Sequence, residues 1–120
     1  MNIIKLSGTT ISLGTMVLTS DTEYNGYLEK IVMEYDDAAT GADITITAEG
    51  LVSEPLLTVT NAGVADLTWY PRTLANKIAD ASAFTDVAEK IFITASTFKC
   101  SVAQGGDEKN VVLYVVLSDE

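Results

Sequence analysis

The chain has no histidine and a single cysteine. Without histidine it lacks the commonest general base and metal ligand of neutral pH, which excludes a histidine-based catalytic set and a zinc site of the usual kind. The lone Cys100 cannot form an intrachain disulfide, so no disulfide framework holds the fold. It alternates with Phe98 and Val102, a pattern that reads as a small apolar filler and not as a reactive thiol. Basic residues are few, seven against 17 acidic ones, for a formal net charge of −10. They are also scattered (Lys5, Lys30, Arg72, Lys77, Lys90, Lys99, Lys109), so nucleic acid and anionic membranes are excluded as expected partners and a neutral or basic protein face is favoured. The longest apolar run, residues 111–117, falls well short of the roughly 20 residues that span a bilayer. Lys5, Ser7, Gly8 and Thr9 break up the opening residues, unlike a signal peptide, so the expectation is a soluble protein made without a secretory address.

What is present is apolar material in strand-like order. Hydrophobic residues make up 48% of 120 positions, enough to offset the entropy of ordering one domain and too few residues for two ordinary ones. Residues 1–120 are therefore read as one domain, with residues 1–8 open to acting as a flexible arm. Ile44, Ile46 and Ala48 alternate with Asp43, Thr45, Thr47 and Glu49, a half-buried strand. Upstream, Tyr27, Ile31, Met33 and Tyr35 share one phase, interrupted by Glu29, and Leu28, Lys30, Val32 and Glu34 share the other. The acidic Asp36-Asp37-Ala38-Ala39-Thr40-Gly41 between them suggests that residues 24–49 form a β-hairpin. A second hairpin is expected about Asn61-Ala62-Gly63, which supplies left-handed turn chemistry between residues 56–60 and 65–70. A third joins residues 98–102 to 111–117. Residues 2–6 and 10–20 also read as strands, with Gly14 marking a bulge.

Residues 73–88 lack period two; Leu74, Ile78 and Ala81 allow a short helix, and an ordered loop is the alternative. The 111–117 run is apolar on both faces. It is either a central strand covered on both sides or one whose second face another subunit buries. Seven or eight short strands and at most one short helix give an all-β fold, an antiparallel β-sandwich of jelly-roll or immunoglobulin-like topology.

Chemistry is sparse. Glu29 and Glu34, the nearest pair suggestive of acid-base work in glycoside cleavage, are five residues apart and read as lying on opposite faces of one strand, which leaves them no common substrate. With no nucleophile-and-base set, no catalytic residue is assigned and the protein is read as not an enzyme. Asp36, Asp37 and Asp43 loosely resemble an oxygen-rich calcium turn, but without EF-hand spacing they are read as solvated, and no metal or cofactor is assigned. Tyr24, Tyr27, Tyr35, Trp69 and Tyr70 are candidates for an aromatic platform that stacks on sugar rings. Trp69 and Tyr70, being adjacent, point opposite ways. A carbohydrate-binding module is the alternative reading.

Four stretches carry a resemblance to a known group: Gly26-Tyr27-Leu28-Glu29-Lys30-Ile31, Gly41-Ala42-Asp43-Ile44-Thr45-Ile46-Thr47, Trp69-Tyr70-Pro71-Arg72, and Val102-Ala103-Gln104-Gly105-Gly106 with residues 111–117. Together they resemble the small all-β virion proteins of tailed bacteriophages, particularly capsid decoration or cement proteins. The resemblance implies a structural protein, made in the host cytoplasm, that sits on the outer capsid surface. It further implies a homo-oligomer, commonly a trimer, that clamps neighbouring copies of the major capsid protein; a tail or fibre module is the variant of this reading. Val112, Tyr114 and Val116, or the opposite set Val111, Leu113 and Val115, are the expected subunit-interface residues, together with Trp69 and Tyr70. The capsid contact is expected from residues 1–20 or from residues 73–88, since termini and loops carry recognition on rigid sandwiches.

Overall fold

A computed structural model describes residues 1–11, 14–35, 41–62, 67–76, 79–104 and 109–119. All regular structure among them is β: β1 (Asn2–Thr9), β2 (Met16–Thr19), β3 (Tyr24–Tyr35), β4 (Ala42–Glu49), β5 (Ser53–Ala62), β6 (Leu67–Trp69), β7 (Arg72–Asn76), β8 (Ala83–Lys90), β9 (Phe92–Ala103) and β10 (Asn110–Ser118). Every pairing is antiparallel. One layer has the order β1-β10-β3-β6 and the other β2-β9-β4-β5.

The pairings are nested: β1 with β10, β2 with β9, β3 with β6, β4 with β5. That nest is the double-layer wrap of a jelly roll, which settles the sequence's two candidate topologies. Eight strands build the wrap, and β7 and β8 form a separate two-stranded ribbon inserted before β9. At one corner the start of β9 pairs with β3 (Tyr27↔Phe92, Gly26↔Ile93) before its remainder pairs with β4 and β2, so β9 carries the chain from one layer into the other.

Three expected hairpins are not formed. β3 lies in the first layer and β4 in the second, where β4 pairs with β5 and β9. Likewise β5 and β6 belong to different layers, as do most of β9 and β10. Each of those turn-rich connections arches between layers, and the bulk of the turns (residues 36–40, 63–66 and 105–108) lies outside the described residues. The hairpin that does form in the wrap is β4–β5, turning at Gly50, Leu51 and Val52.

The core is shared by the two layers. Ile4, Leu6, Leu28, Ile31, Met33, Val111, Leu113, Val115 and Leu117 meet Met16, Ile44, Ile46, Phe98, Cys100 and Val102. Each such side chain contributes about 1.5–3 kcal/mol on burial. β4 alternates as its sequence demands, with Ala42, Ile44, Ile46 and Ala48 inward. In β3 the register against β10 shifts between Val116↔Lys30 and Leu117↔Leu28, leaving Glu29 as the extra residue of a bulge. The bulge changes phase, so Leu28 joins Ile31 and Met33 in the core, whereas an unbroken strand would send Tyr27 there.

Other expectations are corrected locally. Residues 2–9 are not an arm but a full edge strand, in register from Asn2↔Leu117 to Thr9↔Asn110. The second strand is only Met16–Thr19, and Gly14 (φ 75°) sits in the turn before it, donating its N–H to the Ile11 carbonyl at 2.8 Å. In place of the expected helix or loop over residues 73–88, residues 72–76 and 83–90 form the β7–β8 ribbon, with Thr73↔Glu89 and Leu74↔Ala88 paired across it; Ile78 lies outside the described residues. Asn76 Nδ2 donates to the Ala81 carbonyl and Asp80 accepts from Ser82 to shape its turn.

Candidate functional site

The outer face of the first layer is built by register. Ile3, Val116 and Lys30 form one rung, Lys5, Tyr114 and Val32 the next, and Ser7, Val112 and Glu34 the third. Beyond the bulge the same face continues through Ser118 and Tyr27 to Phe92, and the Tyr27 and Phe92 rings meet at 4.9 Å between centroids. Three strands at about 4.8 Å spacing and six residues of rise make this a surface of roughly 300 Å². The face is mixed: Ile3, Val32, Val112, Tyr114 and Phe92 supply apolar surface among Lys5, Lys30, Ser7 and Glu34, and Val116 between Ile3 and Lys30 is covered. Ile3 is 61% exposed and Phe92 52% exposed, while the Lys5 ammonium lies 6.0 Å from the Tyr114 ring centroid.

The outer face of the second layer has different chemistry. Thr19, Lys99 and Thr47 follow one another across it, next to Val17, Ser101, Thr45 and Thr58. Hydroxyls and one cation make it a face for water, as the outer side of an antiparallel sheet usually is.

Between the first layer and the ribbon lies the one cluster of charged groups with defined partners among the described residues. Glu29, displaced by the bulge, pairs with Lys90 Nζ from the end of β8 and accepts the Ser118 hydroxyl at 2.7 Å. Those hydrogen bonds, the lysine's first, hold its carboxyl below the ordinary carboxylate value. Arg72 Nη1 donates to the carbonyls of Glu29 at 3.1 Å and Leu28 at 3.3 Å. Carbonyls that the bulge takes out of the ladder therefore regain partners, and the ribbon is anchored at its base. The parity argument for Glu29 and Glu34 lapses, because the bulge intervenes; Glu29 is nonetheless committed to Lys90 and Ser118 and serves a structural link.

Beyond its base the described side chains of the ribbon are exposed. Leu74 (43%) and Val87 (44%) face water on a two-stranded element, an arrangement that is marginal when isolated. The β4–β5 turn carries a second exposed apolar pair, Leu51 and Val52.

The sequence's candidates fall into two groups. By register Val112, Tyr114 and Val116 lie on the outer side of β10, where Val112 and Tyr114 are half-buried and Val116 is only 5% exposed, whereas Val111, Leu113 and Val115 are in the core. β10 is a central strand, between β1 and β3. Trp69, opposite Ile31, packs against the core, and Tyr70, 63% exposed, lies just past β6. The five aromatics do not form one platform: Tyr24 stacks on buried Phe98 at 6.0 Å, Trp69 packs inward, and Tyr27 and Tyr70 are outside. The Tyr35 side chain and Asp36 and Asp37 lie outside the described residues; among those described, no three His, Cys, Asp or Glu groups converge to hold a metal. Phe92, Leu51 and Val52, which periodicity did not single out, are the additions that exposure reveals.

Cys100 is buried, and burial pushes its thiol up to about 12, which removes it as a nucleophile. No helix of the structure is long and apolar enough to cross a membrane. Two open depressions of about 360 and 310 Å³ flank Thr9, one lined by Ile11, Thr15, Met16 and Val17, the other by Ser7, Asn110 and Val112. Neither gathers the acid, base and nucleophile that catalysis needs. No protein-family model matches the chain, and no curated protein matches it.

Proposed function

We propose that the protein is a non-enzymatic structural protein that binds a larger protein shell, in the manner of the phage capsid decoration proteins its sequence resembles. The observation that carries this reading is the β7–β8 ribbon, which projects apolar Leu74 and Val87 from a jelly roll whose own core is complete. An exposed ribbon with apolar residues gains stability when a partner covers it, and protein surfaces, not small ligands, have the extent to do so. The ribbon takes the capsid contact because, in residues 1–20, the other candidate, residues 2–9 are held in the sheet by β10 and residues 16–19 by β9. The partner is then the major capsid protein and the location the outer surface of the virion head.

The test is co-sedimentation of the purified chain with expanded heads that lack it. The chain is expected to bind saturably and to raise the temperature at which heads disrupt. Leu74→Asp with Val87→Asp is expected to weaken binding at least tenfold, since each side chain contributes a fraction of the roughly 1.5–3 kcal/mol of full burial and its replacement buries a charge. Because both positions are exposed, the melting temperature should be unchanged. A double variant that binds as well as the parent chain would remove the ribbon from the interface. The carbohydrate-binding alternative keeps one supporting observation, the exposed rings of Phe92 and Tyr70. A glycan array with specific hits, together with no affinity for heads, would favour it.

A further inference from the structure

The β4–β5 tip and the outer face of the first layer have complementary chemistry, and we propose that they are two halves of one interface, so that Leu51 and Val52 of one copy dock on the first-layer face of the next. Leu51 is 102% exposed and Val52 76%, the most exposed aliphatic pair among the described residues. The turn that presents them is held in place. Glu49, opposite Thr97 across β4 and β9, accepts the Thr47 hydroxyl at 2.9 Å with its carboxylate and the Thr97 hydroxyl at 3.3 Å with its carbonyl. Gly50 packs so closely on β9 that a Cβ there would stand 2.4 Å from Ser96 Oγ. Two branched aliphatic side chains on a fixed turn, covered by nothing of their own chain, form a knob.

Charge selects the occupant. The knob is flanked by Glu49 and Glu54, and the Asp21–Glu23 loop reaches the same end through Ser20, whose N–H bonds the Phe98 carbonyl at 2.9 Å. The receiving face, by contrast, carries Lys5 and Lys30 beside Val116, Tyr114 and Val32, with Arg72 and Lys90 at its bulge. Its acids are Glu34, on the third rung, and Glu29, engaged by Lys90. Lys5 and Lys30 thus stand on this face of a molecule with net charge −10, with Arg72 and Lys90 at its edge already engaged by the Glu29 segment. An acidic partner bearing apolar residues is what that face would attract, and this chain supplies one at its own tip. The open depression of about 310 Å³ beside Ser7 and Val112 offers room for a branched side chain at the end of the face.

Tip and face are different surfaces, so the contact is made either twice across a two-fold axis or head to tail, which gives a ring when the rotation closes. A face of roughly 300 Å² falls below the roughly 800 Å² per partner of a standard stable pair, so a single contact is weak. Ring closure gives every copy two contacts and makes the assembly cooperative.

The test is light scattering with size-exclusion chromatography on the purified chain at tens of micromolar and low salt. A closed oligomer of two or more copies is expected, and it should weaken as salt screens the charges. Leu51→Asp with Val52→Asp should raise the dissociation constant at least tenfold and leave a monomer with the parent melting temperature. Lys5→Glu with Lys30→Glu should also dissociate it, and adding Glu54→Lys and Glu23→Lys, which leave the Glu49 hold on the turn intact, to that variant should restore association. A parent chain that is monomeric at these concentrations overturns the proposal, as does an oligomer that survives the Leu51 and Val52 changes. The experiment uses no capsid, so its failure leaves shell binding by the ribbon separately measurable.

Discussion

Replacing Gly26 by alanine tests the strand pairing where the sequence and the structure differ most. Gly26 has φ +143°, a backbone conformation that L side chains rarely adopt, and a Cβ there would lie 2.9 Å from the Ser118 carbonyl oxygen and 3.4 Å from Leu117 Cβ. Conformational strain of this kind costs about 1–3 kcal/mol. Overlap with a backbone atom adds to it, because the Ser118 carbonyl belongs to a paired strand and cannot swing aside, so about 2–4 kcal/mol is expected. At roughly 2.1 cal/mol/K per residue of unfolding entropy, a chain of 120 residues melts about 8–16 °C lower. Were β3 paired with β4 as a hairpin, Ser118 would not be there and alanine in an ordinary strand would stabilise by about 0.4–1 kcal/mol through the unfolded state. The sign therefore discriminates. Gly41→Ala is the control: φ is +97° but nothing lies within 4 Å, so only strain is expected. Scanning calorimetry on the two variants is sufficient. A Gly26→Ala chain that melts at or above the parent temperature, or no lower than Gly41→Ala, refutes the pairing of β3 with the end of β10.

Two further outcomes follow from ionisable groups. With its thiol at about 12 against an ordinary 9.0, Cys100 should react with an aromatic disulfide near neutral pH roughly a thousandfold more slowly in the folded chain than in denaturant, and equal rates would contradict its burial. Glu29, lowered from 4.5 by its bonds to Lys90 and Ser118, stabilises the fold above that value and loses the contribution as pH falls through its folded-state value. Glu29→Gln should therefore lower the melting temperature near neutral pH and flatten its decline on acidification; a variant with the parent's pH profile would show that the link does not matter.

The amount that was legible in the sequence follows from what period two encodes. Alternation at Ile44, Ile46 and Ala48, and at Phe98, Cys100 and Val102, states which side chains go inward, and they are buried as read. It states nothing about which strand lies alongside. Asn61-Ala62-Gly63 has the residues of a tight turn, yet Asn61 and Ala62 belong to β5 and the chain then crosses to the other layer. Arches and hairpins draw on the same turn residues, so local chemistry favoured hairpins, and the outermost pair, Asn2 with Leu117, joins the two ends of the chain. Glu29 did leave a trace, as the charge that interrupted the β3 pattern, and the bulge is its explanation. The ribbon was missed because its described side chains are exposed on both strands, and without burial there is no alternation to read. The doubly apolar β10 was legible as a surface of interest, but only register could assign Val112 and Tyr114 to its outer side. Leu51 and Val52 were invisible as a site because exposure, not pattern, makes them one.

The role proposed for this jelly roll is to cover a protein shell. Cryo-electron microscopy of the assembled phage particle tests it most directly. The account expects the ten-stranded domain on the outside of the head, with the β7–β8 ribbon against the shell and copies meeting tip to face. A particle whose head is complete without it, or density for the domain only in tail or fibres, would contradict the account.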